Sequence, residues 1–234
     1  MLYETNPDKG KLKYMGLSLK RRDSCDYLKD TYGEILNILM RGNIGSAIDF
    51  LNRALNELVD GKIAMDKLTI TRALRSDYKN PGQIAHKVLS DRIGQRDPGN
   101  KPKPGDRIKF VFVNHKNPKA LLGERIETPE FILESGVKID YMYYITNQLM
   151  KPLQQLFGLA LVQIYEYKGH KSALTRYLDE VKKIEKEFVD DYEIFMKKKE
   201  KFCSAKVKVA LFDGILTKVS NERNHLQMIT DFYN

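Results

Sequence analysis

Ten Lys/Arg and four Asp/Glu fall between residues 71 and 110, a local charge of +6 in a 234-residue chain whose net charge is +9. Two thirds of the excess therefore sits on roughly one sixth of the length. A solvated surface normally mixes both signs, so cations gathered around a rigid loop point to a polyanion, most simply the phosphates of a nucleic acid. Arg96, Lys101, Lys103 and Arg107 are the candidate contacts in this region, and His86, following Gln83, is expected on the surface of a helix beside them. A second group stands near the start of the chain, with Lys11, Lys13 and Tyr14 on one short element and Lys20, Arg21 and Arg22 closing it. Tyr14 is open between a phosphate-facing hydroxyl and a packed strand aromatic. Asp23 and Asp106 suit orienting neighbouring arginines or capping turns. The competing reading of all these bases is a charged loop that only aids solubility.

No catalytic constellation accompanies them. His86, His115, His170 and His225 stand without an acid or a second histidine at helical or strand spacing. No nucleophile elbow, phosphate-binding Walker loop or paired-histidine zinc motif occurs. Two-metal phosphoryl transfer needs closely placed carboxylates, and the chain has no Asp-x-Asp; Asp190-Asp191 is expected in mid-helix, facing solvent. Cys25 and Cys203 are far apart, without metal-ligand spacing, and read as ordinary buried or half-buried thiols.

The elements that must position the basic loop are legible around it. Asn80-Pro81-Gly82 reads as a turn opening a helix to about Gln95, with Asn80 as cap and Ile84, Ala85, Val88, Leu89 and Ile93 on one face. PGNKPKPG at 98–105 cannot continue that helix, and RIKFVFV at 107–113 alternates as a strand does. KLTITRAL at 67–74 reads as another short strand, and KLKYMGLSL at 11–19 as a third. Asp23 or Ser24 is placed to cap a helix that Gly42 ends, and Ile44 to Val59 repeats an apolar stripe. Residues 138–164 read as a core helical segment kinked or restarted at Pro152. From Leu174 to Phe202 apolar residues recur every three or four positions, which predicts one helix of about 45 Å with Asp179/Lys183 and Glu193/Lys197 as four-residue ion pairs. The expected class is mainly α with a few short β-strands. A hydrophobic content of 42% suits a folded protein, and the absence of a membrane span or apolar leader suggests a soluble, intracellular one.

Four stretches in consistent order carry a resemblance: KLKYMGLSLKRRD (11–23), YKNPGQIAHKVLSDRI (78–93), RDPGNKPKPGDRI (96–108) and YYITNQLMKPLQQLF (143–157). Together they resemble the C-terminal end of a family B DNA polymerase, of the delta-like type found in large nucleocytoplasmic DNA viruses, over about residues 5 to 160. The resemblance implies that residues 1–30 are the last part of a polymerase palm with a remnant of its sheet. Residues 31–234 would then be a thumb-type helical domain, with 165–234 a helical C-terminal extension. Lys11, Lys13 and Tyr14 would match the family's Lys-x-Tyr-type motif near the primer end, with Leu12 standing where a second lysine is usual. It further implies duplex primer–template DNA as the ligand, held by backbone and minor-groove contacts that ignore sequence. The family's catalytic carboxylates, fingers and exonuclease would lie upstream of Met1, with Mg2+ expected in that missing palm and no cofactor in this chain. The expected partners are the catalytic remainder of the polymerase as a separate chain and a sliding clamp, with no membrane. The expected place is the host nucleus or a viral replication compartment. Such a fragment would be inactive alone. The alternative is a stand-alone duplex-binding module with no sequence preference.

Overall fold

The computed structural model describes residues 2–4, 12–14, 24–117, 119–189 and 191–232, with side chains described between residues 24 and 222. The elements run in chain order: β1 (Leu2–Glu4), β2 (Leu12–Tyr14), α1 (Asp26–Met40), α2 (Ile44–Val59), α3 (Met65–Leu68), β3 (Ile70–Ala73), a 3-10 turn (Pro81–Gln83) and α4 (Ala85–Arg96). Then follow a second 3-10 turn (Pro98–Asn100), β4 (Arg107–Phe112), a third 3-10 turn (Leu122–Glu124), β5 (Ile126–Glu127), α5 (Pro129–Ser135) and α6 (Tyr141–Tyr143). A π-helical stretch (Tyr144–Leu149) leads into α7 (Met150–Gly158), α8 (Leu161–Tyr167), α9 (Lys171–Glu187), α10 (Tyr192–Val207), a second π stretch (Lys208–Phe212) and α11 (Asp213–Phe232). The protein is therefore mainly α with a few short antiparallel strands, as its sequence predicts.

The chain divides into two compact units, each discontinuous in sequence: residues 1–30 with 61–143, and residues 31–60 with 144–234. In the first, β1 pairs antiparallel with β2, and β3, β4 and β5 form an antiparallel sheet in that order. The strand read over residues 67–74 is only Ile70–Ala73, because Met65–Leu68 closes a helical turn ahead of it. Ile108 and Phe110 of β4 are buried while Arg107 and Lys109 are exposed, the alternation expected of a strand with one wet face. Helix α4 seals the dry side with Leu89, and it comes close because the residue it meets is Gly123. A Cβ there would lie 2.7 Å from Val88 Cβ. The predicted helix opening at Asn80 needs correction: Pro81–Gln83 forms a separate 3-10 turn, Asn80 makes no side-chain cap bond, and Ile84 is the N-cap of α4. Helix α5 is capped at both ends, with Thr128 Oγ1 accepting from Phe131 N at 3.3 Å, Pro129 at the first position and Gly136 left-handed at φ 67°.

The second unit is helical. Asn43 Oδ1 caps α2 by accepting from Ser46 N at 2.9 Å, after Gly42 (φ 75°) ends the preceding helix, and Ala47, Ile48, Leu51, Leu55 and Leu58 are buried along its stripe. Helix α1 starts at Asp26, later than a cap at Ser24 would place it, and Asp23 lies outside the described residues. Tyr144, Ile145, Leu149, Leu153 and Phe157 are fully buried, so the 138–164 segment is a core element as expected. The helical register changes just ahead of Pro152. The proline falls in the first turn of α7, where no N–H is needed, and the π stretch just before it takes up the change of register. The single helix predicted over 174–202 is two. The chain breaks after Glu187, and Asp191 caps α10 by accepting from Ile194 N at 2.9 Å instead of lying in mid-helix. Lys183 pairs with Glu180 at 2.7 Å and not with Asp179, while Lys197 does reach Glu193 at 3.6 Å. No helix among the described residues is long and apolar enough to cross a membrane.

Candidate nucleic-acid interface

The ten cations of residues 71–110 separate into two kinds. Three are closely paired with carboxylates, and Lys101 more loosely, at 3.7 Å from Asp91 Oδ1. Lys87 is bound by Asp91 on the next turn of α4. Arg92 and Arg96 converge on Glu127, which is buried: Arg96 forms a two-pronged pair at 3.0 and 2.8 Å, and Arg92 Nε stands 3.0 Å from Oε1. Arg92 also donates to Gly123 O at 3.0 Å, and burial lowers its pKa against the pull of Glu127. Arg96 stacks on Phe131 with Cζ 3.6 Å from the ring centre. Arg96 thus ties α4 to β5 through a partner 31 residues away while its side chain stays partly exposed.

The other seven, Arg72, Arg75, Lys79, Lys101, Lys103, Arg107 and Lys109, are all exposed. Six of them line two depressions of the first unit that share Arg107. The smaller, about 480 Å³, is bounded by Arg72, Arg75 and Arg107 with Tyr78 and His86. The larger, about 680 Å³, is bounded by Lys101, Lys103, Arg107 and Lys109, with Asp106 and Glu130 also present. Three predicted residues, Lys101, Lys103 and Arg107, are thereby brought to one concave wall. The sheet does this directly: Ala73 lies opposite Arg107 and Thr71 opposite Lys109, so small residues face the two cations across the strands. Arg107 is steadied by donating to Thr71 O at 3.4 Å. Asp106 accepts from Lys103 N at 2.7 Å and so shapes the loop, as a turn-capping residue should. Gly94 allows the Lys101 stem to cross α4, since a Cβ there would lie 2.7 Å from its Cγ and Cδ. Asp97 accepts from Gly99 N at 3.0 Å, closing the 3-10 turn that starts the basic loop.

His86 is buried, not on the helix surface as expected, with Nε2 3.0 Å from Tyr78 Oη. Burial, and then the charges of Arg72 and Arg75, lower its pKa. The N-terminal candidates lie outside what can be placed: Lys11, Lys20, Arg21 and Arg22 are not among the described residues, and of Lys13 and Tyr14 only the backbone of β2 is. Arg72, Arg75, Tyr78 and Lys109 were missed by sequence reasoning. For Lys109 the signal was available, because it sits two residues after Arg107 in an alternating strand.

Among the described residues no three His, Cys, Asp or Glu side chains come together as metal ligands. A wall of exposed cations of this kind can attract and orient an anion.

Comparison with known proteins gives the family of the chain. The model of DNA polymerase family B matches residues 1–159. The DNA polymerase of Pyramimonas orientalis virus is 43% identical over 99% of this chain, which spans 19% of that protein. The DNA polymerase of Acanthamoeba polyphaga mimivirus is 43% identical over 69% of this chain and 10% of its own length. The DNA polymerase delta catalytic subunit of Caenorhabditis elegans is 38% identical over 67% and 15%. The chain thus spans about a fifth or less of the curated relatives it matches. In fold it is similar to the family B DNA polymerase of the archaeon Pyrobaculum calidifontis, with a TM-score of 0.51 over 62% of this chain and 18% of that one, at 19% identity. The motifs in order, the helical architecture with its small sheet, and the family match over residues 1–159 together show that the chain belongs to DNA polymerase family B.

Proposed function

We propose that this chain is the duplex-holding part of a family B DNA-directed DNA polymerase, gripping primer–template DNA through its phosphates during replication. In this reading residues 1–30 are the end of the palm and residues 31–234 the thumb, with 165–234 a helical extension. The observation that carries it is the concave wall of Lys101, Lys103, Arg107 and Lys109, continued through Arg107 to Arg72 and Arg75. Cations on strand and loop backbone contact phosphates without reading bases, as a polymerase that must copy any sequence requires. The magnesium ions of the polymerase reaction would be held in the remainder of such an enzyme. Catalytic carboxylates belong to the remainder of such an enzyme, with which this part acts.

Fluorescence anisotropy with a labelled primer–template duplex and the matching single strand tests the proposal. Tighter binding to the duplex is expected, with a log-log salt slope of about −4.5 for five phosphate contacts. Equal affinity for both forms, or a flat salt response, would remove it.

A further inference from the structure

Arg75 lies just beyond the end of β3, in the loop that leads to Asn80. An arginine on a loop holds a phosphate tightly only where its backbone is already fixed, because ordering a free loop and a long side chain costs entropy. The residue before it is fixed from both sides: Leu74 N donates to Asp106 O and Gly105 N donates to Leu74 O, each at 2.8 Å. Arg75 itself is fixed by a side chain. Its N–H donates to Tyr78 Oη at 2.7 Å, and that hydroxyl lies 3.0 Å from His86 Nε2 on α4. Since Arg75 N is the donor in the first bond, the phenol proton can go to the second, and with Nε2 assigned as its acceptor the imidazole proton sits on Nδ1. The two rings meet edge to face, with centroids 5.8 Å apart at 77°. A space-filling pair would need neither hydroxyl nor ring nitrogen at these positions. Here both polar atoms are used, and the chain they form ends on the amide of an exposed arginine.

We propose that Tyr78 and His86 are positioning residues that hold Arg75 as a phosphate contact of duplex DNA, in the depression it shares with Arg72 and Arg107. The inference rests on the duplex-binding reading and adds Tyr78 and His86 to it. A neutral His86 suits this role: it accepts from Tyr78 without repelling the guanidinium groups around it, in line with the direction in which burial, Arg72 and Arg75 move its pKa.

The test is a salt titration of duplex binding by the full 234-residue chain and its variants. Arg75→Ala should weaken binding at low salt and make the log-log slope shallower by about 0.9, so that its deficit shrinks about 3.5-fold between about 50 and about 200 mM salt. Tyr78→Phe should reproduce part of that loss. The double variant should bind no more weakly than Arg75→Ala alone, since the two act as one unit. His86→Gln keeps a polar partner for the hydroxyl and should retain most of the affinity that His86→Leu loses. Losses that multiply in the double variant, or a slope unchanged by Arg75→Ala while the parent chain keeps a steep one, would overturn the inference and leave the duplex-binding reading standing. A flat slope in the parent chain would defeat that reading and this one with it. Arg75 is exposed, so its variant decides the matter even where a change at Tyr78 or His86 impairs folding.

Discussion

Replacing Glu127 by alanine tests how α4, and with it the basic loop, is held to the sheet. The carboxylate is 7% exposed and faces both Arg92 and Arg96. Removing one partner of a buried ion pair leaves an uncompensated charge, at a cost of about 3–5 kcal/mol. The side chain of Arg96 is 36% exposed and can turn toward water, which lowers the cost, whereas Arg92 is 22% exposed and tied to Gly123 O and Ile126 O. The net loss should therefore be about 2–4 kcal/mol. For a chain of this size that lowers the midpoint by roughly 5–15 °C, at about 2–4 °C per kcal/mol. Urea unfolding followed by circular dichroism gives the free energy, and hydrogen exchange should place the loss in α4 and β5. Glu127→Gln, which keeps an acceptor oxygen, should lose about half as much. A change below about 0.5 kcal/mol for Glu127→Ala would show that the two arginines are well hydrated and the cluster is not what anchors the helix.

Three further outcomes follow from the same physics. Gly94→Ala puts a methyl group into the Lys101 stem, so duplex affinity should fall a few-fold while stability stays within about 1 kcal/mol, the propensity gain of alanine offsetting the displacement; unchanged affinity would mean Lys101 works equally well elsewhere. Asp191→Ala removes the cap on Ile194 N and should cost about 1 kcal/mol, read as faster amide exchange in the first turn of α10; unaltered exchange there would refute the cap's role. His86 has its folded pKa lowered, so its neutral form is the one the fold favours. The stability it contributes is present above the ordinary histidine range and is lost as pH falls through the folded pKa. His86→Gln should flatten the acid side of the stability profile near pH 6 and below, and an unaltered profile would rule this out.

What the sequence made legible was local. Helix α2 was readable because its apolar stripe and the Gly42 break before it act within a few residues. The alternation from Arg107 to Phe110 likewise marked the strand, though not the burial of Val111 on the face of Arg107 and Lys109. The break between α9 and α10 was hidden because the apolar spacing runs on across it, whereas the Asp191 cap competes for the backbone and wins. Charge counting pointed to the basic depressions but could not sort their cations. Arg96 looked as free as Lys101, and only the fold brings Glu127 against it. His86 was placed outside because a polar residue on a helix is normally exposed. Its burial depends on Tyr78, eight residues earlier, folding back to satisfy it.

The most direct measurement is the salt dependence of primer–template binding for the parent chain and for a variant carrying Lys101→Ala, Lys103→Ala and Arg107→Ala. If these side chains each displace a counterion from DNA phosphate, the log-log slope should become shallower by about 2.7 while the variant keeps its fold. A variant that binds duplex with the parent's slope would contradict the account, because the concave basic wall would then not be where the DNA lies.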